Sequence, residues 1–174
     1  NCMGIYRPVA RIATYDGLST EPGSVAFLSQ SGGLLGEFTV MGEDFGIRFS
    51  KGISYGNACV MDSTDFLEYL ATDPETKIIT MYVEGVKDGH KFTEQIKEIN
   101  KTKPVIIWKG GLTESGSRAV ASHTGSLGGE EAVWNAFFRQ TGVVRVDSLD
   151  ELRDVTMSFL YLPPPKGRRV ALMG

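Results

Sequence analysis

Five short apolar runs, separated by stretches with the periodicity of helices, constrain the fold of this chain more than any other feature. The runs lie within residues 25–28, 47–53, 78–83, 105–108 and 143–146. The stretches with helical spacing cover residues 34–41, 65–70, 87–100, 130–140 and 149–160. Apolar runs of this length, rich in Val and Ile, are typical of strands buried on both faces. Their alternation with helices predicts a doubly wound parallel sheet with helices on both sides.

Composition narrows the classes of protein to consider. The chain has 174 residues, of which 41% are hydrophobic, so it can build one core of ordinary size. A net charge of −3 and the lack of a basic stripe argue against nucleic acid as the main partner. Cys2 and Cys59 have neither metal-site nor disulfide spacing, which fits a reducing compartment. Without a membrane-length apolar run or a signal peptide, we expect a cytoplasmic location.

Both ends of the sequence have the character of connections between structural units. Residues 1–4 have the pattern of a loop, and Pro163-Pro164-Pro165 that of a stiff, extended linker. Residues 167–174 have the pattern of the first strand of a further domain, stopped at a glycine turn. We therefore expect this chain to be a piece of a larger protein.

The turn after the first predicted strand is a candidate anion site. It reads Ser29-Gln30-Ser31-Gly32-Gly33. Ligands of doubly wound sheets bind at the carboxyl ends of the strands. There, the backbone N–H groups and the Ser31 hydroxyl could hold an anion at a helix start. The turn is neither a P-loop nor the dinucleotide-binding glycine pattern. A plain tight turn is the alternative interpretation.

Glu84 follows the third predicted strand, in Tyr82-Val83-Glu84-Gly85. A carboxylate at the end of an apolar strand must reach solvent or find a partner. A histidine would be a natural partner, because the hydrogen bond fixes the tautomer and leaves the far ring nitrogen free to react. The alternative is an ordinary solvated acid in a loop.

His123 is one of two histidines and lies among small residues, directly before a helical pattern. Small neighbours allow backbone and reactants to approach closely, and a helix start supplies N–H donors and a positive dipole end. Such a loop would suit an imidazole that receives a group and passes it on. The alternative is a solvent-facing loop with an incidental histidine.

Three motifs, taken in order and at their spacing, carry a family resemblance. Ser-Gln-Ser-Gly-Gly, Tyr-Val-Glu-Gly and Ala-Ser-His-Thr-Gly-Ser-Leu resemble the nucleoside-diphosphate-forming acyl-CoA synthetases, relatives of the succinyl-CoA synthetase α subunit. The similarity covers nearly the whole chain. It implies a flavodoxin-like, five-stranded, three-layer α/β/α ligase domain over residues 21–162. It also implies the exit of a CoA-binding domain over residues 1–20, and a linker with the first strand of a second flavodoxin-like domain over residues 163–174.

The resemblance implies a phosphoryl relay. Acyl-CoA and phosphate would give an acyl phosphate, from which His123, supported by Glu84, would pass the phosphoryl group to ADP. The residues that match the family's phosphate-binding turns are Ser31, Gly32, Gly33, Thr124, Gly125 and Ser126. CoA and Mg²⁺-bound ATP or ADP would be substrates, held mostly by a CoA-binding domain, a second flavodoxin-like domain and an ATP-grasp domain or subunit. We expect an oligomer, and no metal site in this chain itself.

Other functions stay open. A serine hydrolase could use Ser31, Glu84 and His123, which follow the chain order of the α/β-hydrolases. However, Ser29 stands where the nucleophile turn of that fold has glycine, and the domain is small for it. A regulatory module could bind CoA-related ligands on this scaffold without turnover. A flavin-binding flavodoxin is a third alternative, because fold alone does not imply function.

Overall fold

The computed structural model describes residues 2, 4–14, 16–111, 131–163, 167, 169, 171 and 173. These residues form one sheet with the strand order β1-β3-β2-β4-β5-β6. The strands are β1 (Gly4–Tyr6), β2 (Val25–Ser29), β3 (Phe49–Ser54), β4 (Ile78–Val83), β5 (Val105–Lys109) and β6 (Val144–Val146). Strand β1 runs antiparallel to β3, and the other neighbouring pairs are parallel. Among the described residues, no helix has the length and apolarity needed to span a bilayer.

Helices cover both faces of the sheet. They are α1 (Gly32–Asp44), α2 (Ser63–Thr72), α3 (Gly89–Ile99), α4 (Glu131–Thr141) and α5 (Leu149–Tyr161), with a short 3₁₀ helix at Pro8–Ala10. One core cluster contains side chains of α1 and α5, and the other contains side chains of α2, α3 and α4. Strand β2 lies fully buried between them, with Phe27 in the first cluster and Leu28 in the second. The predicted three-layer α/β/α architecture is therefore confirmed.

The predicted number of strands was wrong by one. All five predicted strands are present, although the second begins at Phe49, two residues later than expected. The additional strand is β1, in a segment whose first residues had the pattern of a loop. Strand β1 has three residues, too few to show an alternating pattern, and it forms by pairing with the edge of β3. Tyr6 anchors it, because its ring is buried and its hydroxyl donates to the Ser19 carbonyl at 2.7 Å.

Side-chain caps determine where the helices begin. Ser31 caps α1 by accepting a hydrogen bond from the Leu34 N–H at 3.3 Å. Asp62 and Asp65 form a reciprocal capping box at the start of α2. These caps satisfy N–H groups that a helix start otherwise leaves without partners. Both capped starts face the carboxyl edge of the sheet, where ligands of this architecture bind.

A buried ion pair connects β3 to the turn that follows α2. The Lys51 ammonium is 2.6 Å from Asp73 Oδ2 and 2.6 Å from Glu75 Oε2, and the Lys51 side chain is only 4% exposed. Burial alone would raise the pKa of Asp73, but hydrogen bonds from Lys51 and Thr76 lower the pKa below its ordinary value. Glu75 also pairs with Arg7, which ties the segment after β1 to the turn before β4.

Replacing Asp73 with Asn should reduce the free energy of unfolding by about 3 kcal/mol at neutral pH, because a buried ammonium loses a carboxylate partner. The pKa of Asp73 is depressed in the folded state, so its contribution is present above its unfolded pKa of about 3.9. That contribution is lost as the pH falls through the folded-state pKa. Urea unfolding at pH 7 and pH 3 should therefore show the difference between the two proteins shrinking in acid.

The matched control is Glu98→Gln, which breaks an exposed pair with Lys101. Its effect should stay below about 1 kcal/mol at both pH values. An Asp73→Asn protein that matches this control at pH 7 would contradict the assignment of the buried pair as stabilising.

Candidate functional site

The strand order reverses between β2 and β4, whose carboxyl ends lie side by side. Ser29 is in register with Tyr82, and the Gln30 N–H donates to the Tyr82 carbonyl at 3.1 Å. From β2 the chain crosses to β3 on one side, and β4, β5 and β6 lie on the other. Doubly wound sheets bind ligands at such a switch point. The predicted Ser31 turn and Glu84 both lie there.

The turn into α1 leaves backbone donors available. Ser31 has φ of −93° and ψ of 122°, and its hydroxyl caps the helix. Among the described residues, no acceptor is bonded to the N–H groups of Gly32 and Gly33. A Cβ built on Gly33 would meet only Ser31 Oγ within 4 Å, at 3.9 Å, so little else crowds that position. Two free N–H groups at a helix start suit an anion.

Glu84 is buried at the same place. The residue is only 6% exposed, and its Oε2 atom has no hydrogen-bond partner among the described residues. Leaving a buried carboxylate oxygen unpaired costs free energy, so a partner is expected. The Glu84 and Gly85 N–H groups both donate to Gln30 Oε1, the second at 2.9 Å. The Gln30 side chain therefore fixes the backbone of Glu84 and Gly85 next to the Ser31 turn.

Two further side chains, Tyr82 and Lys109, lie near Glu84, and neither was predicted from the sequence to have a role. Burial raises the pKa of Tyr82, and the negative charge of the Glu84 carboxylate raises it further. Burial lowers the pKa of Lys109 to about 8, and Glu84 opposes this shift. The only sequence feature that marked Lys109 was its position as a charged residue at the end of an apolar strand.

The end of β5 approaches the start of α4. The Lys109 ammonium lies 5.1 Å from the centre of the Trp134 ring and donates to the Gly110 carbonyl. A Cβ built on Gly110 would lie 2.4 Å from the Tyr82 hydroxyl oxygen, so a larger residue at this position would have to displace the Tyr82 ring. The Gly110 N–H also donates to the Val83 carbonyl at 2.9 Å. The backbone after β5 thus packs directly beside Glu84.

The other predicted site residues lie outside the described residues. His123, Thr124, Gly125 and Ser126 belong to residues 112–130, which connect the end of β5 to the start of α4 in the sequence. Their predicted roles stay predictions, and so does the contact of His123 with Glu84. Within the part of the chain that the structure describes, no group of three or more His, Cys, Asp or Glu side chains could hold a metal ion.

Known proteins resemble this chain over almost its whole length. The α subunit of ADP-forming acetate–CoA ligase II from Pyrococcus furiosus is 45% identical over 175 residues, covering 99% of this chain and 38% of that subunit. ADP-forming acetate–CoA ligase I from Archaeoglobus fulgidus is 43% identical, covering 92% of this chain and 24% of that protein. The chain therefore spans well under half the length of either relative.

A solved structure has the same fold. It is the dinucleotide forming acetyl-coenzyme A synthetase 1 of Ca. Korarchaeum cryptofilum, in complex with phosphate and ADP. It superposes with a TM-score of 0.87 at 34% identity, covering 96% of this chain and 37% of that one. The model of the family described as the succinyl-CoA ligase like flavodoxin domain matches residues 22–159. These similarities confirm the resemblance seen in the three motifs: the chain belongs to the succinyl-CoA ligase like flavodoxin domain family.

Proposed function

We propose that this chain is the phosphohistidine-carrying domain of a nucleoside-diphosphate-forming acyl-CoA synthetase. The enzyme would interconvert acyl-CoA, ADP and phosphate with the free acid, CoA and ATP. The observation that carries the proposal is Glu84, a buried carboxylate with an unpaired oxygen at the switch point. Relatives named as ADP-forming acetate–CoA ligases, and a solved relative that holds phosphate and ADP, support it.

The first step forms an acyl phosphate. A phosphate oxygen attacks the thioester carbonyl, the C–S bond breaks, and the CoA thiolate leaves and takes up a proton. The N–H groups of Gly32 and Gly33 are free among the described residues, so they would hold the phosphate oxygens at the start of α1. The positive end of the helix dipole adds to this attraction without a mobile counterion.

The second step transfers the phosphoryl group to His123. One imidazole nitrogen attacks phosphorus, an N–P bond forms, and the P–O bond to the acid breaks. The other ring N–H would donate to Glu84 Oε2, which offsets the positive charge that develops on the ring. An oxygen of the ADP β-phosphate then attacks phosphorus, the N–P bond breaks, and ATP forms.

The partners of the reaction would come from outside this chain. We expect a CoA-binding domain, a second flavodoxin-like domain and an ATP-grasp domain or subunit, because the relatives are much longer than this chain. Mg²⁺ would enter with the nucleotide and be held there, since the described residues offer no cluster of metal ligands.

The geometry of Ser31 favours the relay over a serine hydrolase. In α/β-hydrolases the nucleophile lies on a strained strand-to-helix turn, with its hydroxyl exposed. Ser31 instead has extended backbone dihedrals and uses its hydroxyl to cap α1. Ser29 is fully buried and donates to the Ser31 carbonyl at 2.6 Å. Both hydroxyls therefore already form hydrogen bonds within the turn and the start of α1.

His123→Asn should abolish phosphoryl labelling of the complete enzyme by γ-labelled ATP, because no nitrogen nucleophile remains at that position. The measurement is intact mass together with acid lability of the adduct. The control is His90→Asn, which changes the other histidine, an exposed residue in the first turn of α3. Undiminished labelling of His123→Asn would overturn the relay, and an unlabelled wild-type enzyme would favour the regulatory module.

Glu84→Gln should slow labelling by roughly two to four decades, because a neutral amide can favour the wrong tautomer and cannot offset charge on the ring. Rapid-quench labelling measures this rate, and Glu68→Gln on the exposed face of α2 serves as the control.

Ser31→Ala should label more slowly than wild type while retaining turnover. Esterase activity that requires Ser31 and proceeds without labelling would assign the site to a hydrolase instead.

A further inference from the structure

The Gln30 side chain has a donor that the described structure does not use. The residue is only 5% exposed, and its Oε1 atom accepts from the N–H groups of both Glu84 and Gly85. Because both partners are donors, the accepting atom must be the amide oxygen. The Nε2 amino group therefore lies on the opposite side of the amide. Among the described residues, no acceptor is bonded to it.

A cavity of about 220 Å³ adjoins Gln30. Its lining residues are Gln30, Asn57, Ala58, Asp62, Gly85, Val86 and Lys87. The charged groups in this wall already have partners. Asp62 Oδ1 accepts from Ser63, Asp62 Oδ2 accepts from the Lys87 N–H at 3.1 Å, and the Lys87 ammonium donates to the Ala58 carbonyl. The Gln30 amino group thus belongs to a largely buried residue that lines the cavity, and it has no acceptor among the described residues.

The cavity adjoins both parts of the candidate site. Gln30 directly precedes Ser31, and Gly85 directly follows Glu84. Gln30 lies only two residues before Gly32, so a molecule whose phosphate is held by the Gly32 and Gly33 N–H groups can extend its other end toward Gln30. An acyl phosphate has this shape, with a carbonyl group bonded through one oxygen to the phosphoryl group.

We propose that Gln30 Nε2 donates a hydrogen bond to the carbonyl oxygen of the acyl group and that this polar cavity receives a small acyl chain. The inference rests on the proposed function and deepens it. When a phosphate oxygen attacks the thioester, the carbonyl π electrons move onto this oxygen, which becomes negatively charged. They return as the C–S bond breaks and the thiolate leaves. A donor placed at that oxygen stabilises the charged intermediate.

The test compares two routes that label the same histidine in the complete enzyme. Acetyl-CoA with labelled phosphate requires acyl chemistry, whereas γ-labelled ATP does not. Gln30→Glu keeps an oxygen that accepts from the Glu84 and Gly85 N–H groups but replaces the amino donor with an acceptor. Labelling through acetyl-CoA should fall about 10²- to 10³-fold, the usual effect of losing one oxyanion donor. Labelling through ATP should fall far less, by under about tenfold, because that route involves no carbonyl oxygen.

Gln140→Glu is the matched control, since it makes the same change at an exposed position near the end of α4. Val86→Phe is a second variant, which fills the cavity and leaves Gln30 unchanged. It should also slow the acetyl-CoA route more than the ATP route. Equal loss, or no loss, by both routes in both variants would overturn the role of Gln30. A wild-type enzyme labelled by neither route would instead overturn the proposed function.

Discussion

The pairing of the ends of β2 and β4 through one glutamine side chain is the interaction on which the candidate site depends. Gln30 Oε1 accepts from two consecutive N–H groups after β4, and the Gln30 N–H donates back to the Tyr82 carbonyl. These bonds connect two segments that are 54 residues apart in the sequence. They hold the backbone of Glu84 beside the start of α1, so a carboxylate and a set of N–H donors face the same region.

The buried charged groups around Lys51 differ from those at the carboxyl edge of the sheet in whether they have partners. Lys51 in β3 has two carboxylate partners, and Asp73 also accepts from Thr76, so this cluster is satisfied internally. At the carboxyl edge, Glu84 Oε2 has no described partner, and burial lowers the pKa of Lys109. A buried polar or charged group without a partner ordinarily destabilises the folded state. Polar groups left unpaired at a switch point are expected where a ligand or another segment of the enzyme completes the site.

Much of the fold could be predicted because its signals are local. Strands β2, β4 and β5 are mostly apolar runs, and the Ser-Gly turn at Ser31 marks the start of α1. Strand β1 could not be predicted in this way, because its three residues pair with an edge that the fold itself creates. The site was predictable only in part. The position of Glu84 followed from the strand that it ends, whereas the roles of Gln30, Tyr82 and Lys109 depend on contacts across neighbouring strands.

We propose that the switch point between β2 and β4 receives a phosphorylated histidine. The most direct measurement is a crystal structure of the complete enzyme after phosphorylation by ATP. We expect a phosphoryl group on one ring nitrogen of His123, with the other ring nitrogen within hydrogen-bonding distance of Glu84 Oε2. The phosphoryl oxygens should face the N–H groups of Gly32 and Gly33. A phosphorylated residue elsewhere in this chain, or a phosphohistidine whose ring contacts neither Glu84 nor the start of α1, would contradict it.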